Sequence, residues 1–172
     1  GRVMRDVDGM SVIEMLLVAW LLEGDVSIQY QVHRDLLATE RPDLRDRIAT
    51  EGWGAQFLSF RKKEGHWGQR FYQPKWTSTH YTVLDLKNLA ITQNNNEIRQ
   101  SISQVIQKLK GQDGGIFPFG TEKKSDVCVN GMFLNYAAYF LTKEDELKSI
   151  VDFLLSEHMK DGGFNCNSNG QG

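Results

Sequence analysis

Three glycine turns at a near-constant interval constrain this chain more than any other feature. They are Glu64-Gly65-His66-Trp67-Gly68, Gln112-Asp113-Gly114-Gly115-Ile116-Phe117 and Asp161-Gly162-Gly163-Phe164-Asn165. Each sets an apolar residue just after glycine, and Trp67, Ile116 and Phe164 stand 49 and 48 residues apart. A period of that length marks a repeat architecture, in which one copy buries its apolar face only against the next. Glycine permits positive φ and close approach at a helix end. The residue that follows then plugs the gap between neighbouring units, so Trp67, Ile116 and Phe164 read as packing residues rather than site residues.

The segments between the turns carry helical periodicity. Ser11 and Glu14 are spaced as a capping box ahead of a heavily apolar helix over about 12–22. That helix is expected to be covered on most sides, with Gly24 ending it. Asp25 or Ser27 caps a helix over 27–38, and Pro42 suits the first turn of the next. The segment 44–63 reads as a mixed helix, weakened in its middle by Gly52 and Gly54. Thr77-Ser78-Thr79 offers N-caps for an apolar helix over 81–91. Amphipathic helices follow over 97–110 and 144–158, with another apolar helix over 127–141 between them.

Polar-faced helices (44–63, 97–110, 144–158) thus alternate with apolar ones (27–38, 81–91, 127–141), and each polar-faced helix ends at a glycine turn. Two layers in that alternation close into an all-α fold, an α/α toroid with the apolar helices lining the centre. Residues 1–10 read as a flexible lead-in to one partial toroid domain over 1–172. About three hairpins are present, half of a six-hairpin barrel, so the chain reads as a fragment whose uncovered inner helices would favour self-association.

Composition narrows the function classes. A net charge of −2 supplies no basic field for nucleic acid or an anionic membrane. The longest apolar run, 12–22, contains Glu14 and is too short to span a bilayer. Two cysteines, Cys128 and Cys166, are too few for a disulfide framework and suit a reducing, cytoplasmic compartment.

At its glycine turns the chain resembles the prenyltransferase and squalene-oxidase repeat of triterpene cyclases and protein-prenyltransferase β subunits. The resemblance rests on Phe57-Leu58 before Gly65-His66-Trp67, on Phe153-Leu154-Leu155 before Asp161-Gly162-Gly163-Phe164, and on the weaker Val105-Ile106 before Asp113-Gly114-Gly115-Ile116. It covers about 44–172 and implies a central pocket for an apolar or isoprenoid-like ligand, with an isoprenoid transferase or cyclase as the enzyme class. The pocket would lie at the starts of the inner helices, lined by Trp76, His80, Tyr81, Asp126, Cys128 and Tyr136. His80 and Cys128 are 48 residues apart, in register.

Asp126-Val127-Cys128 matches the Asp-x-Cys that supplies two zinc ligands in the β subunits, and zinc takes such carboxylate, thiolate and imidazole ligands. The following Val129-Asn130-Gly131 departs from that family's aromatic and hydroxylic residues. Its third ligand, a histidine, comes from a later inner helix, so His80 would have to serve instead. Asp126 as an N-cap and Cys128 as a small buried residue are the structural alternative. The acidic Asp-x-Asp-Asp of the cyclases has no match here. Asp85, within an apolar helix, needs a partner such as Lys87 or Tyr81, or a proton. Arg34, with His33 beside it, is a candidate for anion binding, or a partner for Asp35. Two readings from other classes stand beside these. One is a non-catalytic toroid serving as a binding or scaffold domain. The other is a carbohydrate-active toroid enzyme, which would want paired carboxylates in its cleft.

Overall fold

The computed structural model describes residues 9–161. Most of the proposed lead-in and the third glycine turn beyond Asp161 lie outside the described residues. Among those described, the regular elements are all helical, with only two isolated bridge pairs besides. The chain divides into two compact units, one running to Phe60 and including Asn88–Thr92, the other comprising Arg61–Lys87 and the residues from Gln93 onward.

The first unit holds α1 (Val12–Leu21), α2 (Val26–Asp35), α3 (Pro42–Arg47) and α4 (Gly52–Ser59). The Ser11–Glu14 capping box forms at the start of α1. Asp25 caps α2 through Ser27 N–H, and its other carboxylate oxygen accepts from Trp53 N–H at 2.8 Å, tying α2 to the start of α4. Pro42 opens α3 as anticipated, and the 44–63 segment is broken where glycine weakened it: α3 stops at Arg47, and Gly52 restarts the chain at φ +60°. A side chain at Gly52 would collide with the Asp25 carboxylate, so the cap and the break require each other. Helix α2 is the hub, touching α1, α3 and α4. It buries Val26, Tyr30 and Val32, while Leu44 and Ile48 come in from α3 and its end.

Helix α1 departs from expectation. It packs on α2, yet none of its residues is buried, and Ile13 is 78% and Trp20 66% exposed. One partner helix can cover only one stripe, and this helix is apolar nearly all round. Leu36 and Phe60 are also exposed.

The second unit holds α5 (Thr79–Asn88, whose last residue belongs to the first unit), α6 (Asn96–Leu109), α7 (Val127–Tyr139) and α8 (Glu144–Asp161), with a 3-10 turn at Lys75–Thr77. Helix α6 buries Ile98, Ile102, Val105 and Ile106, the stripe its periodicity predicts. Helix α8 packs on α7 through Leu147, Ile150, Phe153 and Leu154. Leu155 is exposed.

The two described glycine turns are one structure repeated. Gly65 N–H donates to Lys62 O and Lys62 N–H to His66 O; 49 residues later Gly114 N–H donates to Gly111 O and Gly111 N–H to Gly115 O. Gly65 and Gly114 have φ +95° and +89°, a region that costs any side chain. A serine on the second helix after each turn closes it: Ser101 Oγ of α6 donates to Gly65 O at 2.6 Å and Ser149 Oγ of α8 to Gly114 O at 2.8 Å.

The plug residues behave alike. Trp67 is 1% exposed and Ile116 fully buried, which for an aliphatic side chain of this size is worth about 2 kcal/mol. Each has its backbone groups satisfied by one polar side chain from the following helix. Thr79 Oγ1 accepts from Trp67 N–H at 2.9 Å and donates to Trp67 O at 3.2 Å. Asn130 Oδ1 accepts from Ile116 N–H at 2.6 Å, and Nδ2 donates to Ile116 O at 3.0 Å. In the second turn Asp113 also accepts from Gly115 N–H and from both the N–H and the hydroxyl of Ser125, drawing the turn to the start of α7.

Candidate functional site

The start of α5 gathers most of the anticipated pocket residues into one aromatic cluster. The His80 ring lies 4.9 Å from Tyr81, 5.3 Å from Phe71, 5.4 Å from Tyr136 and 5.6 Å from Tyr72 between centroids. Trp76 stands 5.0 Å from Tyr81, and Phe119 meets Tyr72 edge-on at 5.8 Å. Such edge and tilted contacts suit the ring quadrupoles, each adding about 1 kcal/mol beyond burial.

The local chain explains the arrangement. His80 N–H donates to Phe71 O at 2.9 Å, so the aromatic loop is fastened to the first turn of α5. Ser78 Oγ donates to Lys75 O at 2.8 Å, holding the 3-10 turn that presents Trp76. Tyr136 comes from the middle of α7 and is 1% exposed.

His80 is fully buried. Its Nδ1 lies 2.9 Å from the Tyr136 hydroxyl, while Nε2 has no hydrogen-bond partner among the described residues. Burial holds the imidazole down at a pKa of about 4, so it is neutral at physiological pH. Burial likewise raises Tyr136 well above the usual phenol range. Tyr72 is pushed up to about 12, first by burial, then by its contact with the Tyr81 hydroxyl at 3.4 Å and by the nearby Asp126 and Cys128 charges.

His80 and Tyr136 are therefore closed off from solvent instead of lining an open pocket. The exposed part of the cluster is formed by Trp76, 70% exposed, with Phe119, and by the half-buried Tyr72 and Tyr81. Lys75 Nζ sits 4.8 Å from the Trp76 ring centroid and 5.9 Å from that of Tyr81.

The zinc set expected from the Asp-x-Cys match does not assemble. No three His, Cys, Asp or Glu side chains among the described residues stand together in a group that would hold a metal ion. Asp126 is the N-cap of α7, its Oδ1 accepting from Val129 N–H at 2.9 Å. His80 has turned its Nδ1 to Tyr136, and Cys128 is half-buried on α7. The structural alternative for Asp126 holds.

Arg34 belongs to the first unit and is engaged with its neighbour, Nε to Asp35 Oδ1 at 2.6 Å and Nη2 to Oδ2 at 2.8 Å. The paired carboxylate raises the guanidinium above its ordinary range, and the guanidinium lowers Asp35. Asp85 is half-buried, and burial raises its carboxyl. Lys87, a suggested partner, places its ammonium 5.7 Å from the Tyr139 ring centroid.

The sequence reading missed Phe71, Tyr72 and Phe119 as cluster members, and Phe133, whose ring lies 5.2 Å from Tyr136 and 6.1 Å from Phe71. Nothing in periodicity shows where the loop carrying Phe71 and Tyr72 folds back. Among the described residues no helix is long and apolar enough to cross a membrane. Compared with known proteins, the chain matches no family model, no curated protein and no solved structure.

Proposed function

We propose that this chain is a hairpin-repeat segment of an α/α toroid of the prenyltransferase and triterpene-cyclase type. In that reading its aromatic face at the start of α5 receives an apolar, isoprenoid-like ligand. The observation that carries the ligand reading is the exposed Trp76 ring packed against Tyr81, with Tyr72 and Phe119 beside it, in front of a neutral, buried His80. The repeat reading is supported by the two glycine turns, which share backbone bonding, positive φ and serine closure.

Chemically, such a face offers large apolar area with little entropy loss, and ring faces that favour positive charge. The neutral imidazole behind it adds polarity without charge, and the cation at this face is the Lys75 ammonium, 4.8 Å from the Trp76 ring centroid. The proposal is one of binding.

Tryptophan fluorescence tests it. Trp20 and Trp53 are exposed and Trp67 is buried, so the background is Trp20→Phe with Trp53→Phe. Titration with a prenyl alcohol and a prenyl diphosphate should quench emission saturably, and Trp76→Phe should abolish the response. An unchanged signal with both ligands in a folded protein would leave the scaffold reading in its place.

A further inference from the structure

A concave site elsewhere in the same unit has a different character. It is a cleft of about 220 Å³ between the first glycine turn and α6, roughly seven waters in size at about 30 Å³ each. Phe71, Val105 and Leu109 supply its apolar wall, and Arg70, Lys108 and His66 supply cationic or protonatable groups. No carboxylate is among the described residues that line it. Neither Arg70 nor Lys108 has an ion-pair partner among the described residues. The His66 Nδ1 is shielded from solvent without a hydrogen-bond partner among the described residues. Gln104 lines the cleft too, and Arg61 stands close behind it, with its Nη2 about 3.1 Å from where a side chain on Gly65 would begin.

A protein of net charge −2 has thus gathered basic groups around one small hollow and kept acids out of its lining. A concave, low-dielectric wall of one sign focuses potential on what enters. Guanidinium suits a carboxylate in bidentate geometry, and the apolar wall asks for more than an inorganic ion. We propose that this cleft binds a small organic carboxylate with an apolar body, of the size of an aromatic or short-chain acid. Its carboxylate would lie toward Arg70 and Lys108 and its body against Phe71, Val105 and Leu109. The cleft shares Phe71 with the aromatic cluster, but neither His80 nor Tyr136 lines it, and the proposal stands whether or not the isoprenoid reading does.

The test is a nitrogen-15 NMR titration of the whole chain with three probes: benzoate, its neutral relative benzamide, and inorganic phosphate. Benzoate should saturate at a Kd on the order of 1 mM and shift the amides of His66, Phe71 and Val105. Benzamide and phosphate should each bind at least about tenfold more weakly. Arg70→Gln with Lys108→Gln, both at exposed positions, should weaken benzoate about tenfold and leave the spectrum otherwise intact. Lys123→Gln, exposed and outside the cleft, should not. The proposal is overturned if benzoate fails to saturate by about 20 mM. Benzamide or phosphate binding equally well overturns it too, as does a double variant that binds like the parent.

Discussion

Replacing Asn130 with alanine tests the idea that one polar side chain holds each repeat joint. Lys110 and Ile116 form an isolated antiparallel bridge whose flanking bonds run from Gly111 N–H to Gly115 O and from Phe117 N–H to Leu109 O. Lys110 and Ile116 are thus a non-hydrogen-bonded pair, and the N–H and C=O of Ile116 point away from Lys110. Asn130 satisfies both, and its Nδ2 also donates to Asp126 O at 2.8 Å. Ile116 and Asn130 are each fully buried, so water cannot take over without opening the joint. Leaving a buried backbone donor and acceptor unmatched costs about 1–3 kcal/mol each. Asn130→Ala should therefore cost about 3 kcal/mol and lower Tm by roughly 6–12 °C for a chain of this size. Thermal and urea unfolding followed by circular dichroism give the number. Asn135→Ala, exposed on the same helix, is the control and should change stability by less than about 0.5 kcal/mol. If the two variants are equally harmless, the joint does not depend on Asn130 and the reasoning fails.

The equivalent joint should respond in kind: Thr79→Val keeps shape but strips the hydroxyl from Trp67 N–H and C=O, and calorimetry should find a loss of about 1–3 kcal/mol. Gly114→Ala should cost more than Gly65→Ala in the same assay. Both sit at positive φ, but a methyl at 114 meets Ser149 backbone O at 2.8 Å, whereas at 65 it meets the movable Gln104 side chain; equal losses would contradict this. His80 makes stability depend on pH. Its folded pKa of about 4 lies below the ordinary 6.5, so between those values the unfolded chain binds the extra proton. Stability contributed by the neutral form is intact above 6.5 and drains as pH falls toward 4, by about 3 kcal/mol at most. Urea midpoints between pH 7.5 and 4 should fall more steeply for the parent than for His80→Gln, and parallel slopes would refute the assignment.

Periodicity and caps made the helices legible. The stripe of α6, the Ser11–Glu14 box, Asp25 and Asp126 as caps, Pro42 opening α3 and the break before Gly52 all depend on residues within one turn of each other. The glycine turns were legible for the same reason, since their spacing and need for positive φ are written in the chain. Partner choice across dozens of residues was not. Nothing at position 130 marks Asn as the partner of Ile116, nor at 149 marks Ser as the closure of Gly114, because a polar residue in an apolar helix has many local fates. Coverage of α1 was misjudged on the same ground: an all-round apolar helix is expected to be buried, but one neighbour covers one stripe.

The candidate site divides along the same line. Register alone put His80 and Cys128 at equivalent helix starts, and the residues around His80 do converge. Whether equivalent positions share a fate was decided in three dimensions. The loop carrying Phe71 and Tyr72 folds over His80 and buries it, fixing the imidazole as neutral and turning its nitrogen to Tyr136, while Asp126 is consumed as a cap. Sequence by itself determined the helices, their caps and the spacing of the turns, because those are short-range steric and hydrogen-bonding matters. Tertiary structure alone decided which side chains are closed in, which rings remain open at Trp76, and that Arg70 and Lys108 share one hollow, since burial and field depend on what packs from far along the chain.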